Sequence, residues 1–458
     1  MIGGIHDAIV VGAGLSGLVC ARRLVDAGAR VLVLEARGRV GGRLHTGALG
    51  EAVVDLGGQW MSVDQPRLLA LAAELGVRSA PQPRIGRAIL DDSARDRGLF
   101  GQLAVAFAQW RATRRLDRMM RAVDLGAPAA TADASALDAI ALGPWLAGTL
   151  HHPVVRERLT LHADLVFAID AASLSLLAYL ARLRTTGGFA PRGPELPGGG
   201  REHRFIGGAQ TLALRLADRL GDAVRTSCPV EAIEPSLTAS AVELSRDAFV
   251  VRTTDGRHRA RHVVLAVPPS LATAIAPTLP EPLQRLAASM HRGSVVKCFA
   301  AYREPFWREV GLSGEAFCPR GTVRAVVDAT PPEGAMAVLL AFVVGPPAAA
   351  WRDQPPADRR AEVLAALGNL FGDPARTPEH YLEADWAADP WSAGCVASTP
   401  PGALTAGAQW RGSVGGIHLA GAETASRWPG YMEGAIEAGE RAAAAISRPG
   451  SAGATSSS

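Results

Sequence analysis

Ala8-Ile-Val-Val11 is an unbroken apolar run that ends in glycine, and Val31-Leu-Val-Leu34 is a second that ends at an acid. Short runs of this kind, bounded by turn residues, predict strands buried on both faces, as in parallel sheets. Between them, Leu15 to Ala27 spaces its apolar residues as a helix does. Alternating strand and helix predicts an α/β sheet with helical crossovers at the N-terminus. From about Leu99 to Thr186 the pattern is helical, and Gly187 to Gly200 is a Gly/Pro-rich loop placed to line or cover a pocket. Arg204 to Pro268 returns to strands, with Phe249-Val-Val-Arg-Thr253 and His262-Val-Val-Leu-Ala-Val267 as the clearest runs. Strands are expected again at Val295 to Tyr302 and Ala337 to Val344, then a helix near Ala357 to Phe371. Gly416 to Ile446 reads as strand, turn and helix.

The first strand runs into Gly12-x-Gly14-x-x-Gly17. The first glycine permits the tight turn, the second lets backbone approach a pyrophosphate, and the third lets helix pack on strand. The helix that follows aims its free N–H groups at a diphosphate. Glu35 stands 18 residues after Gly17, placed to accept hydrogen bonds from a ribose diol and to repel a 2′-phosphate. Strand, turn, helix, strand and acid in this order predict nucleotide binding, with FAD or NAD as the ligand rather than NADP. Only a single such fingerprint is present. No second nucleotide domain is therefore expected for NAD(P)H, and the substrate itself is expected to supply the electrons.

Composition narrows the remaining classes. The 458 residues suffice for two domains, and 47 basic against 44 acidic residues give no reason to expect a nucleic-acid partner. The five cysteines are too few and too scattered for a disulfide framework or a zinc site, so no metal is expected and the compartment is read as reducing and cytoplasmic. No apolar run reaches the roughly 20 residues of a membrane span, and residues 449–458 read as a flexible polar tail. No membrane association is expected. Arg111, Arg114, Arg115, Arg118 and Arg121 recur at helical spacing, and this face is read as solvated rather than as an anion or membrane surface.

Val10 to Thr46, Val54-Asp-Leu-Gly-Gly-Gln-Trp60 and Gln65 to Gly76 resemble the N-terminus of the flavin-containing monoamine oxidase family. His418 to Arg441 is similar to that family's C-terminal flavin-binding segment. Arg204-Phe-Ile-Gly-Gly208, Pro229 to Ile233, Val267-Pro-Pro269, Gly293 to Lys297 and Glu304-Pro-Phe-Trp307 match in order between them. The resemblance implies an α/β, FAD-binding Rossmann-like domain of the glutathione-reductase type, assembled from three segments (1–85, 205–288, 386–448). An α+β substrate-binding domain would come from 86–204 and 289–385. It implies oxidation of a small-molecule amine to an imine, with O2 reduced to H2O2, and is compatible with a homodimer. The enzyme alternative is an L-amino-acid oxidase on the same fold; a non-catalytic flavin-binding scaffold is the other.

Site residues follow from the same resemblance. Lys297 is the only lysine among 47 basic residues, yet it lies in an apolar run at the position of the family's active-site lysine, where it is implied to hold a water against the flavin. An ammonium on a flexible stem resets its pKa on burial, which a guanidinium does not. Tyr431, one of four tyrosines, matches one wall of an aromatic cage for the amine. Val396 stands where the second aromatic is usual, and with Ala325 it implies a wider pocket. Cys395 matches the cysteine that carries a thioether to the flavin in covalent members, which leaves covalent linkage open. The helix beginning near Met432 points its N-terminus at the flavin pyrimidine edge. Arg43 is implied at the diphosphate, Glu423 and Gly421 near the ribityl-diphosphate, and the backbone of Val230 at the adenine. Arg37, Gly42, Gly58, Gln59, Trp60 and Trp391 complete the implied flavin contacts. Leu165 completes the implied pocket. Arg201 is the candidate carboxylate clamp for the amino-acid oxidase alternative.

Overall fold

The computed structural model describes residues 4–91, 98–185, 188, 202–235, 249–334, 336–395 and 397–447. Arg201, Val396, the 449–458 tail and all of Gly187 to Gly200 except Gly188 fall outside the described residues.

Strand His6–Val11 lies between two parallel neighbours, Val31–Leu34 on one side and the far half of Gly256–Leu265 on the other. Its alternation decides two cores at once. Ala8 and Val10 join one buried cluster with Val31 and Val33, while Ile9 and Val11 join the opposite one with Leu32 and Leu34. The long strand Gly256–Leu265 pairs antiparallel with Phe249–Thr253 through its first half and parallel with Ile417–Leu419 through Val263 to Leu265. Val224–Arg225 closes the other edge. The sheet thus draws strands from the start, middle and end of the chain.

Helix Leu15–Asp26 covers one face and packs on the C-terminal helix Met432–Ser447. A Cβ on Gly17 would stand 2.0 Å from the Gly12 carbonyl oxygen, and one on Gly439 would stand 2.3 Å from that of Ser16. Glycine at both places is what brings helix, turn and helix this close. Leu18 and Leu24 are fully buried there, each worth roughly 1.5–3 kcal/mol of burial.

A second sheet of six strands takes Arg87–Leu90, Val295–Tyr302, Leu312–Phe317, Val323–Asp328, Ala337–Val344 and His380–Asp385. Val296, Cys298 and Ala300 face one cluster of this sheet. Phe299 and Ala301 face the other, against the hairpin residues Leu49, Ala52 and Val54. Lys297 shares the Phe299 face by alternation. The region expected to be helical is helical in pieces, chiefly Leu99–Arg121, Leu142–Thr149, Pro153–Phe167 and Leu176–Thr185. The arginine row on the first of these is exposed, and Arg114 and Arg115 lie over the rings of Trp110 and Trp145. Its N-terminal half also exposes Leu99, Phe100, Leu103 and Phe107. No helix of the described residues is long and apolar enough to cross a membrane.

Candidate active site

A single cavity of about 1060 Å³ runs from the Gly12 turn to the strand that carries Lys297. Gly12, Gly14, Glu35, Arg37, Gly42, Arg43, Gly58, Gln59, Trp60 and Val230 line it, as do Trp391, Cys395, Tyr431, Met432, Lys297, Ala325 and Leu165. Gly17, Gly421 and Glu423 lie outside its wall; Gly17 packs helix on turn, and Glu423 lines a small adjoining cleft.

At the nucleotide end Gly12 has φ +101, in the left-handed region that glycine alone adopts freely. A Cβ on Gly14 would meet nothing within 4 Å and would project into open space over the helix start. Buried Glu35 accepts from the Ala13 amide at 2.8 Å and the Arg37 amide at 3.0 Å, so its carboxylate is held on the rim of the turn. Arg37 in turn binds Asp389 at 2.5 Å and donates to Ser392 Oγ at 2.7 Å.

At the other end Lys297 is buried and its Nζ donates to three oxygens: the Asp55 carbonyl at 2.5 Å, the Gly57 carbonyl at 2.9 Å and Gln59 Oε1 at 2.6 Å. It ties the second sheet to the segment before Trp60. Phe342, its partner across the strand pair, and Phe299 offer ring faces to the amine at 5.9 and 5.2 Å. Loss of water drives the lysine down from 10.5 to about 7, and nearby Asp55 only partly offsets this. Gln59 spends its oxygen on Lys297 and leaves Nε2 buried in the cavity wall without a partner among the described residues. A buried unpaired amide is costly. A polar edge of a bound group would satisfy it, and with the open cradle at Gly14 this is what a flavin dinucleotide requires.

Arg43 and Glu423 form a two-bond pair at 2.6 and 3.0 Å. Burial opposes both charges, but the pairing wins: the arginine is held above its ordinary range and the glutamate below its own. Cys395 sits against the same Arg43 guanidinium. Tyr431 meets Trp428 edge-on at 5.1 Å, and the Met432–Ser447 helix starts beside it, so Tyr431, Met432 and Ala435 put that helix N-terminus on the cavity.

Sequence reasoning missed a group of residues on the 153–185 helices. Phe167, Tyr179, His162 and Arg182 line the cavity. His162 Nδ1 and the Tyr179 hydroxyl are 3.0 Å apart, and Arg182 lies 4.6 Å over the Tyr431 ring. One signal was present. Arg182 follows Leu176, Tyr179 and Leu180 on the buried face of its helix, where the pattern calls for an apolar residue.

A glycine-turned crossover, an acid at the second strand and a cavity joining this turn to a buried lysine and a tyrosine define a nucleotide-dependent oxidoreductase. The protein-family profile for flavin-containing amine oxidoreductases matches residues 15–447. The putative flavin-containing monoamine oxidase AofH of Mycobacterium tuberculosis is 34% identical over 454 residues, covering 96% of each chain. Human flavin-containing amine oxidase B is 33% identical over 459 residues, covering 96% of this chain and 86% of the relative. Among solved structures, putrescine oxidase bound to putrescine and the cyclohexylamine oxidase of Brevibacterium oxydans each superpose with a TM-score of 0.89 at 31% identity, over 97% of this chain and 99% of theirs. The chain belongs to the flavin-containing amine oxidase family. It is an α/β flavoenzyme that oxidises amines.

Proposed function

We propose that the flavin is FAD, that it lies along the whole cavity, and that Lys297 and Tyr431 act on the amine at its inner end. The observation that carries this reading is the continuity of the one cavity between Gly12 and Lys297. When bound, FAD accepts the electrons of the amine and passes them to O2, giving H2O2.

The adenosine half belongs to Glu35 and the Val230 backbone, the diphosphate to Gly12, Gly14, Gly42 and Arg43, and the reacting half to Gly58, Gln59, Trp60, Trp391, Cys395 and Met432. Tyr431 offers its ring to the amine and orients it. Lys297, buried and near neutrality, is suited to holding a water or moving a proton. Covalent linkage through Cys395 is part of the proposal, since its sulfur lines the cavity beside the Arg43 guanidinium. We assign 1–85, 205–288 and 386–448 to the flavin domain and 86–204 with 289–385 to the substrate domain. Five free thiols agree with a cytoplasmic setting, where no membrane is engaged; a homodimer is proposed as well.

The test is an anaerobic panel of amines scored by flavin bleaching. Ala325, small and buried on the cavity wall, leaves room, so bulky or secondary amines should bleach faster than benzylamine. A yellow protein that no amine bleaches would sink the reading.

A further inference from the structure

Asp164 and Arg324 form a buried ion pair behind the substrate end of the cavity, outside the groups assigned to flavin or amine. Arg324 Nη2 meets Asp164 Oδ2 at 2.5 Å, and Nη1 donates to the Pro319 carbonyl at 2.5 Å. Asp164 stands in the last turn of helix Pro153–Phe167, at the negative end of its dipole, where a carboxylate is disfavoured. Burial raises this carboxyl to about 6; Arg324 works against the rise and Asp170 adds to it. Two apolar residues of similar size would serve packing at least as well. The pair is therefore better explained by what it positions than by the stability it adds.

Its immediate neighbours on the two elements, Leu165 and Ala325, line the cavity, and neither charged residue does. The strand pairing is irregular at this point. Val323 pairs with Val343 and Ala325 with Phe342, so Arg324 is an extra residue, a bulge, in strand Val323–Asp328. The bulge changes the phase of the strand. Val323 and Val326 enter one core cluster of the sheet, while Val327 enters the other, and Ala325 comes to lie on the cavity opposite Phe342, the cross-strand partner of Lys297. In a strictly alternating strand either residue 324 would replace Ala325 on this face or Val323 would join it. Both are larger than alanine. Arg324 holds the bulge from two sides, through the helix by Asp164 and through the connection before the strand by the Pro319 carbonyl.

We propose that the Asp164–Arg324 pair fixes this bulge and thereby sets the width of the pocket at Ala325, so that the two are positioning residues that determine how bulky an amine is admitted. This rests on the amine oxidase reading and narrows its substrate class to amines whose substituent fills the space beside Ala325.

The test uses the flavin-loaded enzyme and one matched pair, benzylamine and 4-phenylbenzylamine, which share the reacting carbon and differ in bulk. Wild type should favour 4-phenylbenzylamine in kcat/KM. The double variant Asp164→Leu with Arg324→Met replaces both charges by apolar groups, a change that buried pairs tolerate. It should lose about tenfold of the preference, as for a methylene-sized change in a pocket, with the loss in the KM for 4-phenylbenzylamine and benzylamine unchanged. Asp164→Asn keeps the shape, removes the charge and should lose part of the preference. A merely structural role would lower the melting temperature or slow both amines alike without moving their ratio. Wild type that favours benzylamine, or either folded variant with the full wild-type preference, overturns the role of the pair and leaves the amine oxidase reading standing. Failure of every amine to reduce the flavin overturns both.

Discussion

Three oxygens around one nitrogen decide what Lys297 is able to do. An ammonium has three donors, and the Asp55 and Gly57 carbonyls with Gln59 Oε1 take all of them. A water held by Lys297 must therefore displace one of these bonds or be held by the neutral amine through its lone pair. With the lysine brought down to about 7, both forms are accessible near neutrality. Replacing Lys297 by Met keeps the stem and removes the polar contacts. Losing one charge-assisted bond costs about 1.5–3 kcal/mol, so flavin reduction or reoxidation should slow about ten- to a hundredfold in stopped-flow mixing. A second readout is stability. The folded lysine holds its proton less tightly than the unfolded one, so between about 7 and 10.5 the unfolded chain binds more protons. Wild type should gain stability relative to Lys297→Met as pH rises through that window, and the burial penalty should be fully present below it. A difference in melting temperature that stays flat from pH 7 to 10 contradicts the shift. Cys395 has a simpler test. Acid precipitation should leave the yellow in the pellet, and Cys395→Ala should release it; a colourless wild-type pellet rules the thioether out.

The glycine turn shows how one element separates folding from binding. A Cβ on Gly17 would collide with the Gly12 carbonyl, which is backbone and does not yield, whereas one on Gly14 would touch nothing. Gly17→Ala should thus lose fold and flavin together. Gly14→Ala should keep its far-ultraviolet circular dichroism, lose under about 1 kcal/mol of stability at this helix N-cap, and load flavin poorly. Equal loss of structure in both variants would refute the separation. This unit was legible because its pattern is local: apolar runs, a helix and an acid within 30 residues carry both the fold and the site. Strands Val295–Tyr302 and Ala337–Val344 were legible for the same reason. The small sheet of Trp60–Met61, Ser79–Pro81 and His203–Phe205 was not, because strands of two or three residues have no period to read. Helix Leu176–Thr185 was legible as a helix but not as a wall of the site. Its buried arginine owes its meaning to Tyr431, some 250 residues later in the chain, and no local pattern records that contact.

At the scale of the molecule, the cavity is built from all parts of the chain: the 12–60 segment, the 158–183 helices, Val230, the 266–275 segment, the second sheet and the 386–435 return. A ligand that fills it contacts every one of these pieces in the folded state and none of them together in the unfolded chain. It must therefore stabilise the fold by mass action, about 4 kcal/mol at a thousandfold excess over its dissociation constant. The identity of the flavin then becomes a thermal measurement. Glu35 and Val230 line the cavity, and the adenosine half is assigned to them. FAD should raise the melting temperature of the flavin-free Cys395→Ala protein by several degrees in a concentration-dependent manner. FMN, which fills only the Lys297 half, should raise it far less. Cys395→Ala is the form to use because any flavin bound to it can be removed without breaking a thioether. An FMN shift equal to that of FAD would mean that the Gly12 to Glu35 end contributes nothing to binding, and the assignment of FAD to this cavity would fall with it.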